Sequence, residues 1–141
     1  MALVVDASVA VKWLVVEEGS ADARGLLDAA EELHAPRLLV SEVANAVWRK
    51  VRLGQVDRRA ASQLLATMSD MPIRWHADET ICADAIRLAI AHDRPVYDLM
   101  YLALAQRVGG RVVTADQRLV NALALTEHRD LVMALRNTDD R

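Results

Sequence analysis

The sequence predicts an α/β domain in which a parallel sheet of about five strands lies between two layers of helices, a three-layer αβα arrangement. Short apolar runs alternate with longer stretches in which apolar residues recur every three or four positions, as in strands joined by helical crossovers. Three prolines and five glycines fall mostly at the ends of these segments. With 53% apolar residues in 141, the chain can bury one continuous core, so we expect residues 1–141 to form a single domain.

The first half of the chain is predicted to contain two strands and several helices. Residues 2–5 are an apolar run that ends at Asp6, and a helix begins almost at once, from Ser8. Ser20 is suited to cap a second helix through residue 33. The apolar stripe of that helix consists of Ala23, Leu26, Leu27 and Ala30. A short strand then ends before Pro36, and a strong helix is predicted over residues 37–53.

The second half repeats the alternation. Asp57 is suited to cap a helix through residue 69, residues 73–75 form a third strand, and residues 78–91 form the next helix. Pro95 precedes another helix, which has Asp98 in its first turn and ends at Gly109-Gly110. A strand at 111–114, a helix at 115–124 and a weak strand at 131–133 follow. Residues 136–141 are expected to fray.

Composition excludes several classes of protein. The single cysteine, Cys82, rules out an internal disulfide and is expected in the core. The sequence shows neither a signal peptide nor an apolar run long enough to cross a bilayer, which favours a cytoplasmic protein without a membrane role. A net charge of -3 gives no general attraction to nucleic acid. The four histidines lack the spacing of a metal site or a catalytic triad, and we interpret them as structural or surface residues.

Four acids fall where strands end or helices begin: Asp6, Glu42, Asp98 and Asp116. Each alone has an ordinary explanation as a helix cap or a partner of a helix dipole, and Thr114 with Gln117 fits a capping box. A parallel sheet, however, gathers the carboxyl ends of its strands at one edge and would bring these acids together. Two carboxylates about 4 Å apart repel by about 4 kcal/mol at an effective dielectric of about 20. A hard divalent cation, Mg²⁺ or Mn²⁺, is the interpretation we favour for such a cluster.

The neighbours of the acids suit this interpretation. Ser8 and Thr114 place hydroxyl groups near Asp6 and Asp116, where they could orient a carboxylate or a water, although ordinary capping explains them equally well. On the helix of Glu42, Asn45 follows one turn later. The sequence therefore predicts Ser8, Asn45 and Thr114 as polar residues around the acidic site.

A basic run lies at the end of the same helix. Arg49, Lys50 and Arg52 stand beside Trp48, and this combination could grip a phosphate backbone. A solvated charged face is the more common explanation of such a run. Binding of a nucleic-acid backbone by these residues is therefore only weakly indicated.

Four segments together are similar to a known family: VVDASVAVKWL near the start, SEVANAVWR in the middle, and YDLMYLALA and VVTADQRL near the end. The sequence resembles the PIN-domain ribonucleases, and specifically the VapC toxins of bacterial type II toxin-antitoxin systems. The likeness runs from Asp6 to Asp116. It implies a metal-dependent endoribonuclease that hydrolyses RNA phosphodiesters, with five parallel strands and the first strand at the centre.

The resemblance also implies roles and partners. Asp6 and Asp98 become the principal metal-binding carboxylates, and Glu42 and Asp116 complete the catalytic site directly or through water. Ser8, Asn45 and Thr114 match the small polar positions around that site. The implied partners are an RNA substrate, a second copy of the chain in a homodimer, and an antitoxin whose C-terminal segment lies across the active-site groove.

Two other functions stay open at this stage. A phosphatase that works through an aspartyl phosphate also places an aspartate after its first strand, but it usually has a second aspartate two residues later, where this chain has Ser8. A binding module that retains the fold without cleaving anything is the other alternative. Nucleotide binding is weaker still, because no glycine-rich loop lies between a strand and a helix.

Overall fold

A five-stranded parallel sheet forms the centre of the computed structural model, which describes residues 1–29 and 31–135. The strands are β1 (Ala2–Val5), β2 (Glu32–Pro36), β3 (Ile73–His76), β4 (Arg111–Thr114) and β5 (Val132–Ala134). Their order in the sheet is β3-β2-β1-β4-β5, and every neighbouring pair is parallel. The first strand is therefore central, as the resemblance implied, and the predicted strand at 131–133 is confirmed as β5.

Seven α-helices flank this sheet in the described residues and give the predicted three-layer fold. They are α1 (Ala7–Leu14), α2 (Ser20–Asp28), α3 (Leu38–Arg52), α4 (Ala61–Ala66), α5 (Cys82–His92), α6 (Val96–Val108) and α7 (Gln117–Leu123). Helix α6 packs on the three middle strands and against α5, while α1 packs against α3. The helices that follow β1 and β4 begin at one edge of the sheet, where the strands end.

Among the described helices, α6 has the longest unbroken run of buried residues. All seven residues from 99 to 105 are buried, so the helix is enclosed on every side at its centre rather than along one stripe. Full burial of one leucine side chain stabilises a fold by roughly 1.5 to 3 kcal/mol, which makes this helix a major part of the core. It ends at Gly109, whose φ of +69° is readily available to glycine. Its first turn, which contains Asp98, lies at the edge of the sheet where the strands end.

Helix α2 is shorter than predicted. The pattern placed a helix through residue 33, but α2 ends at Asp28 and Leu33 belongs to β2. Leu33 pairs with Leu3 of the central strand and is buried, so sheet pairing outweighs the local helical periodicity. Ala30, assigned to the helix by its spacing, lies outside the described residues.

Two other expectations need correction. The helix predicted from Asp57 to residue 69 is broken, because Asp57 caps only a turn, through the backbone N–H of Arg59, before α4 and a 3-10 helix at Thr67–Asp70. Cys82 is exposed instead of buried, since it lies on the solvent side of the first turn of α5, whose inner face carries Ala85 and Leu88.

The predicted frayed tail, 136–141, lies outside the described residues. Within the described ranges, no helix combines the length and apolarity that a bilayer span requires.

Candidate active site

Asp6 and Thr114 lie side by side at the edge of the sheet. Val5 of β1 pairs with Val113 of β4, and Asp6 and Thr114 are the residues that follow this pair in the chain. The Thr114 hydroxyl donates to Oδ2 of Asp6. Oδ1 accepts from the Ser8 hydroxyl at 2.6 Å and from the Val9 backbone N–H at 3.2 Å. Asp6 therefore caps α1, and at the same time its carboxylate is held in one orientation by two hydroxyl groups.

Burial makes the charge on Asp6 costly. The residue is only 8% exposed, and burial raises its pKa to about 6 in spite of the hydrogen bonds from Ser8, Thr114 and Val9, which act in the opposite direction. The negative charge of Asp116 adds to the rise. A buried carboxylate of this kind gains from a nearby positive charge.

Glu42 lies in the second turn of α3 and is held by Tyr101 of α6, whose hydroxyl donates to Oε1. Partial burial raises the pKa of Glu42 and outweighs the hydrogen bond from Tyr101, which lowers it; the charge of Asp98 adds a smaller rise. Tyr101 is only 2% exposed. Burial and the adjacent Glu42 charge raise the pKa of the tyrosine far above its ordinary value, so its hydroxyl remains a donor.

Asp98 and Asp116 are the more open members of the set. Asp98 lies in the first turn of α6, as predicted, and its Oδ2 accepts from Arg94 at 3.3 Å. Asp98 is not a helix cap, because Pro95 occupies that position. Asp116 caps α7 through the N–H of Arg118 at 3.0 Å, and its own N–H donates to the Thr114 hydroxyl at 3.0 Å. The capping box with Thr114 as the cap is therefore wrong: Asp116 is the cap.

A single cavity of about 450 Å³ joins the four acids. Its acidic end is lined by Asp6, Ser8, Glu42, Asp98, Tyr101 and Asp116, and its basic end by Lys12, Glu17, Arg49 and Lys50. The structure thus brings together all four predicted acids and two of the three predicted cationic residues. Thr114 is fully buried and reaches the acids through its hydroxyl.

Besides Thr114, two predicted residues are absent from the wall of this cavity. Asn45 is exposed and does not line it, although Glu42 and Arg49 of the same helix do. Arg52 lies over the ring of Trp48, 5.1 Å from the ring centroid, and is likewise absent from the cavity wall.

The donor set suits a hard divalent cation held by few protein ligands. Within residues 1–29 and 31–135, no three His, Cys, Asp or Glu side chains converge closely enough to hold a metal ion by themselves. Mg²⁺ is usually bound by one or two carboxylates and keeps several waters, so a cavity lined by separate carboxylates fits this ion better than a closed protein cage would. A bound cation would also favour the charged form of Asp6, which burial disfavours.

Sequence reasoning missed five polar residues of the site, one of which is Gln55 in the cavity wall. The other four are Lys12, Glu17 and Tyr101, which also line the cavity, and Arg94, which donates to Asp98. A signal existed for Tyr101, which follows Asp98 by three residues and therefore lies on the same side of α6. Lys12 is the one charged residue in the apolar α1 sequence, which also could have marked it.

Comparison with known proteins identifies the family. The PIN-domain profile matches residues 3–124, a range that includes all four acids. The chain belongs to the PIN-domain family. It is 37% identical over 121 residues to ribonuclease VapC3 of Pyrobaculum aerophilum, covering 84% of this chain and 92% of that protein. It is 34% identical over 125 residues to ribonuclease VapC9 of Mycobacterium tuberculosis, covering 83% and 87%. The resemblance to PIN-domain VapC ribonucleases is thereby confirmed.

Solved structures agree with the PIN fold. PAE2754 from Pyrobaculum aerophilum superposes with a TM-score of 0.68 at 24% identity, over 96% of this chain and 84% of that one. VapC20 of Mycobacterium tuberculosis, described as a toxin that cleaves the sarcin-ricin loop, gives 0.67 at 16% identity, over 85% and 94%. VapBC2 from Rickettsia felis, solved with a DNA fragment from its promoter, gives 0.65 at 8% identity, over 96% and 100%. At these identities the likeness concerns the fold alone.

Proposed function

We propose that this PIN-domain protein is a metal-dependent endoribonuclease that hydrolyses RNA phosphodiesters and acts as the toxin of a toxin-antitoxin pair. The observation that carries the proposal is one cavity lined by four carboxylates at one end and, at the other, by three cationic side chains with Glu17 among them. Such a cavity suits a polyanion whose reacting phosphate lies at the acidic end and whose neighbouring phosphates meet positive charge. The relatives named VapC ribonucleases support the same activity.

The metal completes the acidic end. PIN-domain nucleases depend in general on divalent metal, and here Asp6 and Asp98 would hold Mg²⁺ or Mn²⁺, with Glu42 and Asp116 taking part directly or through water. When bound, the cation neutralises charge on the reacting phosphate and favours a water nucleophile. Oxygen donors throughout the site favour these hard cations over softer metals.

The remaining residues orient the reactants and transfer protons. Ser8 and Thr114 hold the carboxylate of Asp6 at the edge of the sheet. Glu42, held by Tyr101, accepts the proton of the attacking water, a role suited to a carboxylate whose raised pKa brings it closer to neutral pH. Water adds to phosphorus, one phosphorus–oxygen bond breaks, and the leaving oxygen takes a proton from solvent to become a hydroxyl group.

The partners of the protein follow the same proposal. The fold similarity to VapBC2 supports an antitoxin as a partner. A C-terminal segment of that antitoxin would cover the cavity, and two copies of this chain would form a homodimer. Size-exclusion chromatography with light scattering tests the homodimer, and copurification with the product of an adjacent reading frame tests the antitoxin.

Cleavage of total cellular RNA by the purified protein tests the activity. Discrete fragments should appear with Mg²⁺ or Mn²⁺, and they should vanish on chelation and in Asp98→Asn. The matched control is Asp84→Asn, because Asp84 is also paired with arginine and is equally exposed, 39% against 40% for Asp98, but lies outside the cavity. Full cleavage by Asp98→Asn would contradict the assignment, and absence of both cleavage and metal binding would favour a non-catalytic binding module.

A further inference from the structure

Three charged residues form an ion network at the basic end of the cavity. Lys12 of α1 donates from Nζ to Oε1 of Glu17 at 3.1 Å, and Lys50 of α3 donates from Nζ to Oε2 of the same carboxylate. Both lysine side chains are largely covered, with 14% and 16% exposed, and Glu17 is 24% exposed. All three residues line the cavity that contains the four acids.

The Glu17 carboxylate has an ammonium group on each of its two oxygens. Burial by itself would raise the pKa of Glu17, but the hydrogen bonds and charges of Lys50 and Lys12 outweigh that effect and lower it. Glu17 therefore stays ionised near neutral pH. A phosphodiester also presents two equivalent anionic oxygens, so a backbone phosphate could take the place of this carboxylate between the two lysines.

We propose that Lys12 and Lys50 form a binding site for an RNA backbone phosphate and that Glu17 is the internal anion that occupies this site when RNA is absent. The inference rests on the proposed function, which brings RNA into this cavity. RNA binding then exchanges one anion for another, so Glu17 lowers the affinity of the protein for RNA.

The loop that carries Glu17 can release the carboxylate without unfolding. The Glu17 backbone N–H donates to Oγ of Ser20 at 2.9 Å, and the Ser20 N–H donates back to the Glu17 carbonyl at 3.1 Å. The Ser20 hydroxyl also donates to the Val15 carbonyl at 3.2 Å, and Lys12 donates to the Glu18 carbonyl at 2.7 Å. These contacts hold the backbone of the loop independently of the Glu17 carboxylate.

The ion network has an alternative explanation as a purely structural clamp between α1 and α3. The two explanations predict opposite effects of neutralising Glu17. A clamp would lose thermal stability and gain nothing in RNA binding. An internal competitor would bind RNA more tightly, by about three- to tenfold, since partly exposed ion pairs contribute modestly.

The test is the affinity of the full chain for a labelled, single-stranded, mixed-sequence RNA, measured by fluorescence anisotropy in EDTA so that no cleavage occurs. Glu17→Gln should bind more tightly and show a steeper dependence on salt, because more phosphates are neutralised by free lysines. Glu18→Gln is the matched control, since it makes the same change in net charge one residue away through a side chain that points to solvent. Equal affinities of these two variants would overturn the proposal.

The lysines provide a second test that does not depend on the folding of Glu17→Gln. Lys50→Met should weaken RNA binding about threefold or more, beyond the effect of Arg52→Met, which removes the same charge from the same helix outside the cavity. Equal effects of Lys50→Met and Arg52→Met would reject the phosphate site. Failure of the wild-type protein to cleave RNA would contradict the proposed function alone, because these binding measurements decide the role of Glu17 separately.

Discussion

The hydroxyl of Tyr101 donates a hydrogen bond to Oε1 of Glu42 and so connects the buried centre of α6 to the acidic cavity. Tyr101 belongs to the core of α6, while Glu42 belongs to α3, which follows β2. One carboxylate oxygen of Glu42 is thus tied to a residue that packing holds in place, and the other is left for the cavity.

Removal of this hydrogen bond should impair turnover more than RNA binding. Tyr101→Phe keeps the ring and deletes only the hydroxyl, and we expect kcat to fall about tenfold with little change in KM, within the range for a hydrogen bond to a charged group. The bond from Tyr101 lowers the pKa of Glu42, so its loss should raise that pKa further and move the acidic limb of the pH–rate profile to higher pH.

Tyr97→Phe is the matched control for this variant, because Tyr97 lies on the same helix but is 57% exposed. A purely structural role for Tyr101 would lower the melting temperature and leave the pH limb unmoved. An unchanged pH limb in Tyr101→Phe would therefore reject its role in positioning Glu42.

The charge on Asp6 should make stability depend on pH in the absence of metal. Its pKa is about 6 in the folded protein, against an ordinary value of 3.8, so the folded state binds more protons between these values and loses stability as pH rises through them. The loss should approach about 2 to 3 kcal/mol by pH 8. Asp6→Asn has no ionisable group at this position and escapes this loss. The free energy of unfolding of the variant should therefore rise relative to that of the wild type by about 2 to 3 kcal/mol between pH 4 and pH 8.

Urea unfolding in EDTA at several pH values measures this difference. Comparison across pH removes any constant effect of the substitution on the cap of α1. Asp57→Asn is the control, since Asp57 also caps a turn but does so at the surface. A difference between wild type and Asp6→Asn that stays constant with pH would refute the prediction.

The sequence predicted the parts of the site that depend on local order. Asp6 and Asp116 follow strands whose ends are marked by apolar runs and breakers, and a parallel sheet necessarily brings such positions to one edge. The contacts of Tyr101 with Glu42 and of Lys50 with Glu17 depend instead on how α3 packs beside α6 and α1. Tyr101 and Glu42 are 59 positions apart along the chain, and Lys50 and Glu17 are 33 apart. A local sequence pattern carries no information about contacts over such separations.

The same reason accounts for the errors. Leu33 has a helical neighbourhood in sequence, but it pairs with Leu3 across the sheet. Cys82 is apolar enough for a core position, but the orientation of α5 turns it to solvent. In both cases tertiary packing decided the outcome, so the sequence pattern was reliable for the order of elements and weak for their ends and faces.

Thr114 should stabilise the edge of the sheet through its hydroxyl. That hydroxyl is fully buried, donates to Asp6 and accepts from the backbone N–H of Asp116. Thr114→Val keeps the shape and leaves both groups without this partner, so we expect a loss of about 1 to 3 kcal/mol in the free energy of unfolding. Urea unfolding at pH 7 measures this loss, provided that the dependence of the free energy of unfolding on urea concentration is the same in both proteins.

The control for Thr114 is Thr80→Val, which removes an exposed hydroxyl that donates to the Ala77 carbonyl. Its cost should stay within about 0.5 kcal/mol, as is usual for surface positions. Equal costs for the two variants would show that burial of the Thr114 hydroxyl at the acidic site contributes nothing.

Divalent metal should stabilise the folded protein through Asp6 and Asp98. A ligand that binds only the folded state at a hundred times its Kd adds about 2.7 kcal/mol, which raises the melting temperature of a domain of this size by roughly 10 °C. Mg²⁺ or Mn²⁺ should therefore raise the melting temperature of the wild-type protein and have little effect on Asp6→Asn or Asp98→Asn. Glu17→Gln is the control, because Glu17 lines the same cavity but is engaged by two lysines at its basic end, so the metal-dependent rise should persist there. A full rise in Asp6→Asn would place the metal elsewhere, whereas loss of the rise in Glu17→Gln would mean that the basic end also holds the cation.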